Sequence, residues 1–461
     1  MHARGNVPPG AVNGSPGLRR GLAIGAMNFL LVAACSGGAS PTPSPSAVVT
    51  PAATPAATLA PTPAGEIIIG GVGPLSQPGD VAIGTEMKWA MEQAIADINA
   101  KGGVLGRQLR LAFNDTQNQP DVCASVAQKL VDENVAAVVG EAHSGCGLAQ
   151  IPAYSAAGMP VVFSETYNDK ITGGDPEDPN LPANPPTIFR IAPTSTYYSS
   201  FIGDWLINGL KATKLVHIVD NSDYGNGEKA AMQAALEGSG IELVQVAVDA
   251  AQPDYSAIVS RLKTENPDAD AVFFDTAGIA DGWALQQNAI DAGLVDEAAC
   301  IGGPAATDFE GYWRAVPGGV GCAFQQVGLT SSQFNDLAKS LNDRANLALG
   351  HGARNYAFES YDSVLLVADA IERAGSTDHQ AIVTALETTS MVGAQGAYEF
   401  PFNSTNAVPS DTPAWMWHQW PEPPIQLLEY TEKDQTLADA STIWPASRQT
   451  VPGQAWVVVP R

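Results

Sequence analysis

Two stretches carry side chains suited to holding a small solute: VVGEAHSGCG at residues 138–147 and VVFSET at 161–166. Both read as strand ends running into a turn, and a helical pattern follows the first. Ser144, Gly145 and Gly147 open that helix, so a hydroxyl and unhindered backbone N–H groups meet at its positive end. That combination suits an anion such as a carboxylate. Thr166 adds a second hydroxyl, although Ser144 and Thr166 also fit as ordinary cap and turn residues. Open parallel sheets bind ligands beyond the carboxyl ends of their strands.

Catalytic chemistry finds less support. The six histidines, His2, His143, His217, His351, His379 and His418, form no H-E-x-x-H. His143 lies three residues before Cys146, which would suit a Cys–His nucleophile only if the thiol were free. The five cysteines argue otherwise. Cys123 with Cys146 and Cys300 with Cys322 are near-neighbour pairs closing loops of just over 20 residues, each worth ~3 kcal/mol as a disulfide in the chain-entropy model. With no nucleophile–base–acid set, the chain reads as a non-enzyme; a hydrolase on a similar scaffold is the rival reading. Gly71-Val72-Gly73-Pro74-Leu75-Ser76 places Ser76 where a dinucleotide loop needs its third glycine, and Pro74 removes a backbone donor. No G-x-x-x-x-G-K-[ST] occurs, so neither nucleotide cofactor nor metal is expected.

The pairing leaves Cys35, directly after Val32-Ala33-Ala34, with Arg19 and Arg20 before the uncharged run 21–34. A basic start, a short apolar core and small residues describe an export signal, and the four residues ending at Cys35 resemble a bacterial lipobox. Residues 1–35 are therefore expected to be a lipoprotein signal with Cys35 lipidated. Residues 36–65, nearly all Ser, Thr, Pro, Ala and Gly, read as an uncharged tether. All 48 acidic residues follow it, while Arg4, Arg19 and Arg20 precede Cys35, leaving 20 basic against 48 acidic residues, a formal −28. Such a surface argues against nucleic acid or an anionic membrane as a partner, and is most simply a solubility feature.

The elements that must position these residues alternate regularly. Buried-strand patterns fall at 66–72, 108–114, 136–140, 160–164 and 187–192, then at 214–220, 241–249, 270–275 and 299–303. Between the first two, Met87, Ala90, Met91, Ala94, Ile95 and Ile98 recur at helical spacing. Helices are expected at 255–266, 333–348, 355–374 and 378–388, and edge-type strands at 398–402, 415–420 and 425–430. Near-continuous apolar strands alternating with helices predict an α/β fold with parallel sheets covered on both faces, and two runs of the pattern predict two Rossmann-like lobes. From Glu66 onward, 396 residues exceed what one core supports.

EIIIGGVGPLS, the helix through INAKGGVLGRQLRL, GMPVVFSET, FRIAPT, DYGNG (223–227) and NYAFESYDSVLLVADAIERAG together resemble the type I periplasmic binding proteins, in particular the leucine/isoleucine/valine-type receptors of ABC importers. The resemblance runs from about residue 66 to 400. It implies lobes at 66–192 with 327–401 and 193–326 with 402–461, joined by three crossings near 190–194, 325–328 and 400–409. It implies an exported, lipid-anchored monomer that captures a small polar ligand, an amino acid above all, and hands it to an ABC permease and its ATPase; a sensor for a signalling partner, or a receptor for an amide, urea or carboxylate, is the alternative. The family's carboxylate-holding serine falls on Ser144 and its threonine on Thr166, with Ser164 and Glu165 offering backbone carbonyls. Its second-lobe tyrosine falls on Tyr224. Its amine-pairing acid would lie in GGPAATD (302–308), where the position reads Ala305, with Asp308, Asp275 and Glu165 as possible replacements.

Overall fold

Buried Ile, Val and Phe strands dominate both sheets of the computed structural model, which describes residues 65–252, 254–303, 309, 311–453 and 456. Cys35, Ala305 and Asp308 lie outside the described residues.

In the first lobe, β1 (Ile67–Gly73), β2 (Leu109–Asp115), β3 (Ala137–Gly140), β4 (Val161–Phe163) and β5 (Ile188–Arg190) form an all-parallel sheet in the order β2-β1-β3-β4-β5. Helices α1 (Val81–Ala100), α2 (Pro120–Asp132), α3 (Ser144–Ala157) and the single turn α4 (Lys170–Gly173) connect these strands. On α1, Met87, Ala90, Met91, Ala94 and Ile95 are buried as their spacing predicts, while Ile98 is half-buried.

The second lobe begins with α5 (Ser195–Asp204), which ends in a π-helical turn. Strands β6 (Lys214–Asp220), β7 (Glu242–Val248), β8 (Ala271–Asp275), β9 (Ala299–Gly302) and β10 (Cys322–Val327) run parallel to one another. They are connected by α6 (Asp223–Ala235), α7 (Ser256–Glu265), α8 (Ile279–Ala292) and α9 (Tyr312–Ala315). The chain then returns to the first lobe's core as α10 (Asp336–Leu349), α11 (Asn355–Ala374) and α12 (His379–Leu386), with a two-stranded ribbon of β11 (Met391–Val392) and β12 (Ala397–Tyr398). Finally β13 (Ile425–Glu429) and β14 (Ser441–Trp444) complete the second sheet, ordered β14-β13-β10-β9-β8-β6-β7.

Three features depart from the sequence reading. The second sheet is mixed, because β13 pairs antiparallel with β10 and with β14, so 425–430 is an interior strand rather than an edge. Residues 415–420 form no strand: after a 3₁₀ turn at Ala414–Met416 the chain makes only single bridges, with His418 at φ 49°. The third crossing also lies later than 400–409. Phe400 and Trp420 both pack in the first lobe's core and Ile425 in the second's; the passage uses Pro421-Glu422-Pro423-Pro424, whose prolines favour extended chain.

Arg190 ties this passage to the first. Its fully buried guanidinium donates from Nε to Gln419 Oε1 at 2.5 Å, from Nη1 to the carbonyls of Thr166, Tyr167 and Asn168 at 3.3, 3.2 and 2.7 Å, and from Nη2 to Thr172 Oγ1 at 3.0 Å. Burial lowers its pKa to about 10, so it stays charged at neutral pH. The expected disulfides are formed. Cys123–Cys146 joins α2 to α3, and Cys300–Cys322 joins register neighbours on β9 and β10.

Candidate ligand-binding site

The turn after β3 aims α3 at the gap between the lobes. Gly140, at φ +111°, has no room for a side chain, since a Cβ would lie 2.4 Å from the Val72 carbonyl oxygen. Glu141 follows at φ 69°, and its buried carboxyl accepts from the Ala142 N–H at 2.9 Å and Gln150 Nε2 at 2.8 Å. Burial pushes Glu141 up to about 7.

Ser144 then begins α3, where first-turn N–H groups have no partner within the helix. Its Oγ accepts from the backbone N–H of Tyr167 at 3.2 Å and of Asn168 at 3.1 Å, and the hydroxyl proton remains to be donated. The loop after β4 is thereby strung across the helix start, bringing Glu165 and Tyr167 beside Ser144. Asn355 Nδ2 donates to both Glu165 carboxyl oxygens, at 3.2 and 3.0 Å.

Tyr224, in the first turn of α6, faces this group from the second lobe. Its hydroxyl donates to Asp275 Oδ1 at 2.7 Å, while Asp275 Oδ2 lies 3.2 Å from His217 Nε2 and His217 Nδ1 lies 3.3 Å from Gln245 Nε2. Asp275 thus fixes Tyr224 from behind. The ring centroids of Tyr167 and Tyr224 stand 6.1 Å apart across the cleft.

Ser144, Glu165 and Tyr224 line the enclosed space, together with Ile83, Ala142, His143 and Tyr167; Thr276 and Ala277 after β8 and Tyr356 on α11 complete it. Gly145, Ser164, Thr166 and Asp275 stand in the second layer. Ser164 Oγ and Thr166 Oγ1 are buried without hydrogen-bond partners among the described residues. Gly145 lies against the other lobe, where a Cβ would come 3.0 Å from Asp223 Oδ2. Thr276 and Ala277 obeyed the strand-end rule already used for residues 138–147, applied to β8. Tyr356 carried no comparable signal.

The volume of this space is about 30 Å³, room for about two waters, so a larger solute requires the lobes to part. Beyond the Phe309–Tyr356 ring contact, with centroids 5.7 Å apart, lies a second cavity of about 550 Å³ with Tyr312, Trp313 and Phe334 in its wall. His143 Nε2 lies 3.7 Å from Asp80 Oδ2, yet no ion pair forms at neutral pH, because burial pushes His143 down to about 4. Asp80 is raised to about 7 by burial and then by the charge of Asp281.

Nothing in the glycine-rich start forms a phosphate cradle: Gly71 and Gly73 are residues of β1 itself. Cys123, Glu141 and Cys146 lie close enough to share a metal, but their disulfide leaves no thiolate to bind one.

Residues 66–410 match the family model described as periplasmic binding protein. A Leu/Ile/Val-binding protein homologue of Brucella melitensis is 28% identical over 321 residues, covering 69% of this chain and 82% of that protein. The isoleucine-bound branched-chain amino acid transporter substrate-binding protein LivJ of Streptococcus pneumoniae has a TM-score of 0.66 at 22% identity, covering 81% and 97% of the two chains. A solute-binding protein of an ABC transporter from Rhodopseudomonas palustris, in complex with 3,4-dihydroxybenzoic acid, has a TM-score of 0.65 at 19% identity, covering 79% and 93%. By the family match over most of its length and by two α/β lobes meeting at a cleft, this chain belongs to the periplasmic binding protein family, in its type I group.

Proposed function

We propose that the protein is an extracytoplasmic receptor that captures an amino acid of branched-chain type between its lobes and delivers it to an ABC permease, held at the membrane as a monomer by a lipid on Cys35. The observation that carries this reading is the start of α3 beside Glu165, with Tyr224 opposite. First-turn N–H groups and the Ser144 hydroxyl would take the ligand carboxylate. Ile83 and Tyr356 offer apolar surface to an aliphatic side chain, and the second lobe closes over it as a hinged body. The names of the Brucella and Streptococcus proteins favour the same ligand class.

A thermal-shift screen over the amino acids tests the ligand, since one present at 100 times its Kd raises stability by about 2.7 kcal/mol. No shift with any of them would overturn the amino-acid assignment. Metabolic labelling with a fatty acid, in the wild type and in Cys35→Ala, tests the anchor. The dihydroxybenzoate-bound relative and the Ala305 position favour a second reading, in which the ligand is an acid without an amine; amine-free carboxylic acids therefore belong in the same screen.

A further inference from the structure

At the cavity wall and just behind it lie two buried carboxyls, Glu165 and Glu359, with no cation of their own among the described residues. Asn355 and Glu359 are one turn apart on α11 and so share a face, and that face meets Glu165. The Glu359 carboxyl is fully buried within hydrogen-bonding reach of Glu165, and no N–H or O–H donor among the described residues reaches either of its oxygens. The nearby guanidinium is committed elsewhere. Arg354 Nη1 lies 2.9 Å from Glu86 Oε2, its backbone N–H donates to Glu86 Oε1 at 2.8 Å, and its guanidinium sits 4.3 Å from the centre of the Phe309 ring.

Among the described residues, the other titratable groups around the pair supply no positive charge. They are Tyr167 on the same loop, with its hydroxyl 3.5 Å from Glu165 Oε2; Glu86 on α1; Asp362 on α11; neutral His143 before α3; and Tyr198, Tyr224, Tyr356 and Tyr398. Asp362 is itself held by the N–H groups of Ala394 and Gln395 and by the Tyr398 hydroxyl. An unbalanced buried charge is costly, so such groups neutralise instead. Burial, and after it the charge of Glu86, pushes Glu165 up to about 8. Burial and then the charge of Glu165 push Glu359 well above the carboxylate range.

We propose that the Glu165–Glu359 pair is the counter-ion for a positively charged amine on the ligand, which enters in exchange for one proton. The inference rests on the solute site proposed above. In the free receptor both carboxyls hold their protons and the pair is neutral. When the ammonium arrives, the Glu165 O–H bond breaks, its electron pair stays on the carboxylate, and the proton leaves to solvent. The new carboxylate then accepts from the ligand N–H, from Asn355 and from the Glu359 hydroxyl. One cation enters and one proton leaves, so the buried charge does not change.

Calorimetric titration at pH 7 in phosphate, HEPES and Tris, whose ionisation enthalpies differ, counts the protons released. The probes are L-isoleucine, 2-methylbutylamine (the same skeleton without the carboxylate) and 2-hydroxy-3-methylpentanoate (the same without the amine). The expected result is about one proton released per isoleucine, none with the hydroxy acid, and an apparent Kd that weakens about tenfold for each pH unit below about 7. Glu165→Gln, which has no acid proton to give, should abolish the release and flatten this pH dependence, whereas Glu359→Gln, the isostere of the neutral acid, should keep both. Isoleucine binding without proton release, or release unchanged in Glu165→Gln, overturns the proposal. Release with 2-methylbutylamine alone upholds it while removing the amino-acid assignment; binding of the hydroxy acid alone, or of none of the three, overturns it. Should Glu165→Gln fail to fold, infrared spectra of the wild type decide instead. A protonated-carboxyl band at pH 7 must be lost when isoleucine binds, and its persistence overturns the proposal.

Discussion

Asn168, on the first lobe, donates from Nδ2 to the backbone carbonyl of Asp223 at the start of α6 on the second, at 2.6 Å. The bond spans the cleft a few residues from Ser144 and Tyr224, and forms only when the lobes are together. Asn168→Ala removes it, together with the bond that Asn168 Oδ1 accepts from the Lys170 N–H in the same loop, and leaves both lobe cores untouched. The closed form should lose about 1 kcal/mol, so ligand dissociation should quicken about fivefold. Stopped-flow displacement measures this, and an unchanged dissociation rate would show that the bond takes no part in holding the lobes closed.

Arg190→Met should damage binding and stability together. The guanidinium holds three successive carbonyls of the loop that carries Glu165 and Tyr167. Without it these acceptors stay buried and unsatisfied, at about 1–3 kcal/mol each. A melting temperature within a degree or two of wild type, with unaltered ligand affinity, would contradict this role.

Stability should decline between pH 6.5 and 8.5. Burial raises Glu165 to about 8 and Asp80 and Glu141 to about 7, from ordinary values of 4.5, 3.8 and 4.5. In this window the native state holds protons that the unfolded chain has already released. The stabilisation is complete below the unfolded values and is lost as pH rises through the folded ones, at up to about 1.4 kcal/mol per pH unit for each group. His143 acts in the opposite sense: pushed down to about 4 from 6.5, it withdraws stability as pH falls through 6.5, below the window tested. A melting temperature that holds level or rises from pH 6.5 to 8.5 would refute the buried-acid account.

The two disulfides should separate in function. Replacing Cys123 and Cys146 together with alanine should cost ~3 kcal/mol in the chain-entropy model and also weaken ligand binding, because the bond braces α3, the helix that begins at Ser144. The Cys300/Cys322 double replacement should cost a similar amount but leave affinity nearly unchanged, since it links strands inside the second sheet. Equal losses of affinity in the two variants would exclude a bracing role for the first bond.

Buried parallel strands announce themselves. KLVHIVD was legible residue for residue as β6, and the α11 pattern from Asn355 to Ala374 matched its observed span, because unbroken apolar runs and 3.6-residue periodicity both report burial. The sequence pattern missed β10, CAFQQV, whose two glutamines interrupt the apolar run although Gln325 and Gln326 are buried. It missed β14 as well, only four residues beside Pro445. At the site, Ser144, Glu165 and Tyr224, which the sequence offers as ligand-binding candidates, line the cleft. Asp275 was expected to face the ligand, but its carboxylate is occupied by Tyr224 and His217, a pairing across 51 and 58 positions that no local pattern encodes. Glu359 was not anticipated at all, because a glutamate on a helix ordinarily reads as a solvated face.

The second sheet closes only with β13 and β14, drawn from the last forty residues of the chain. Until that segment emerges on the far side of the membrane, β10 is a bare edge, with Phe324 and its unpaired backbone groups open to any passing strand. Secretion therefore fixes an order of assembly: the first lobe's sheet and strands β6 to β10 exist before the strands that cover β10. A nascent chain stalled before Ile425 would be aggregation-prone and unable to trap solute, which makes the C-terminal strands the point at which the exported polypeptide becomes a finished receptor.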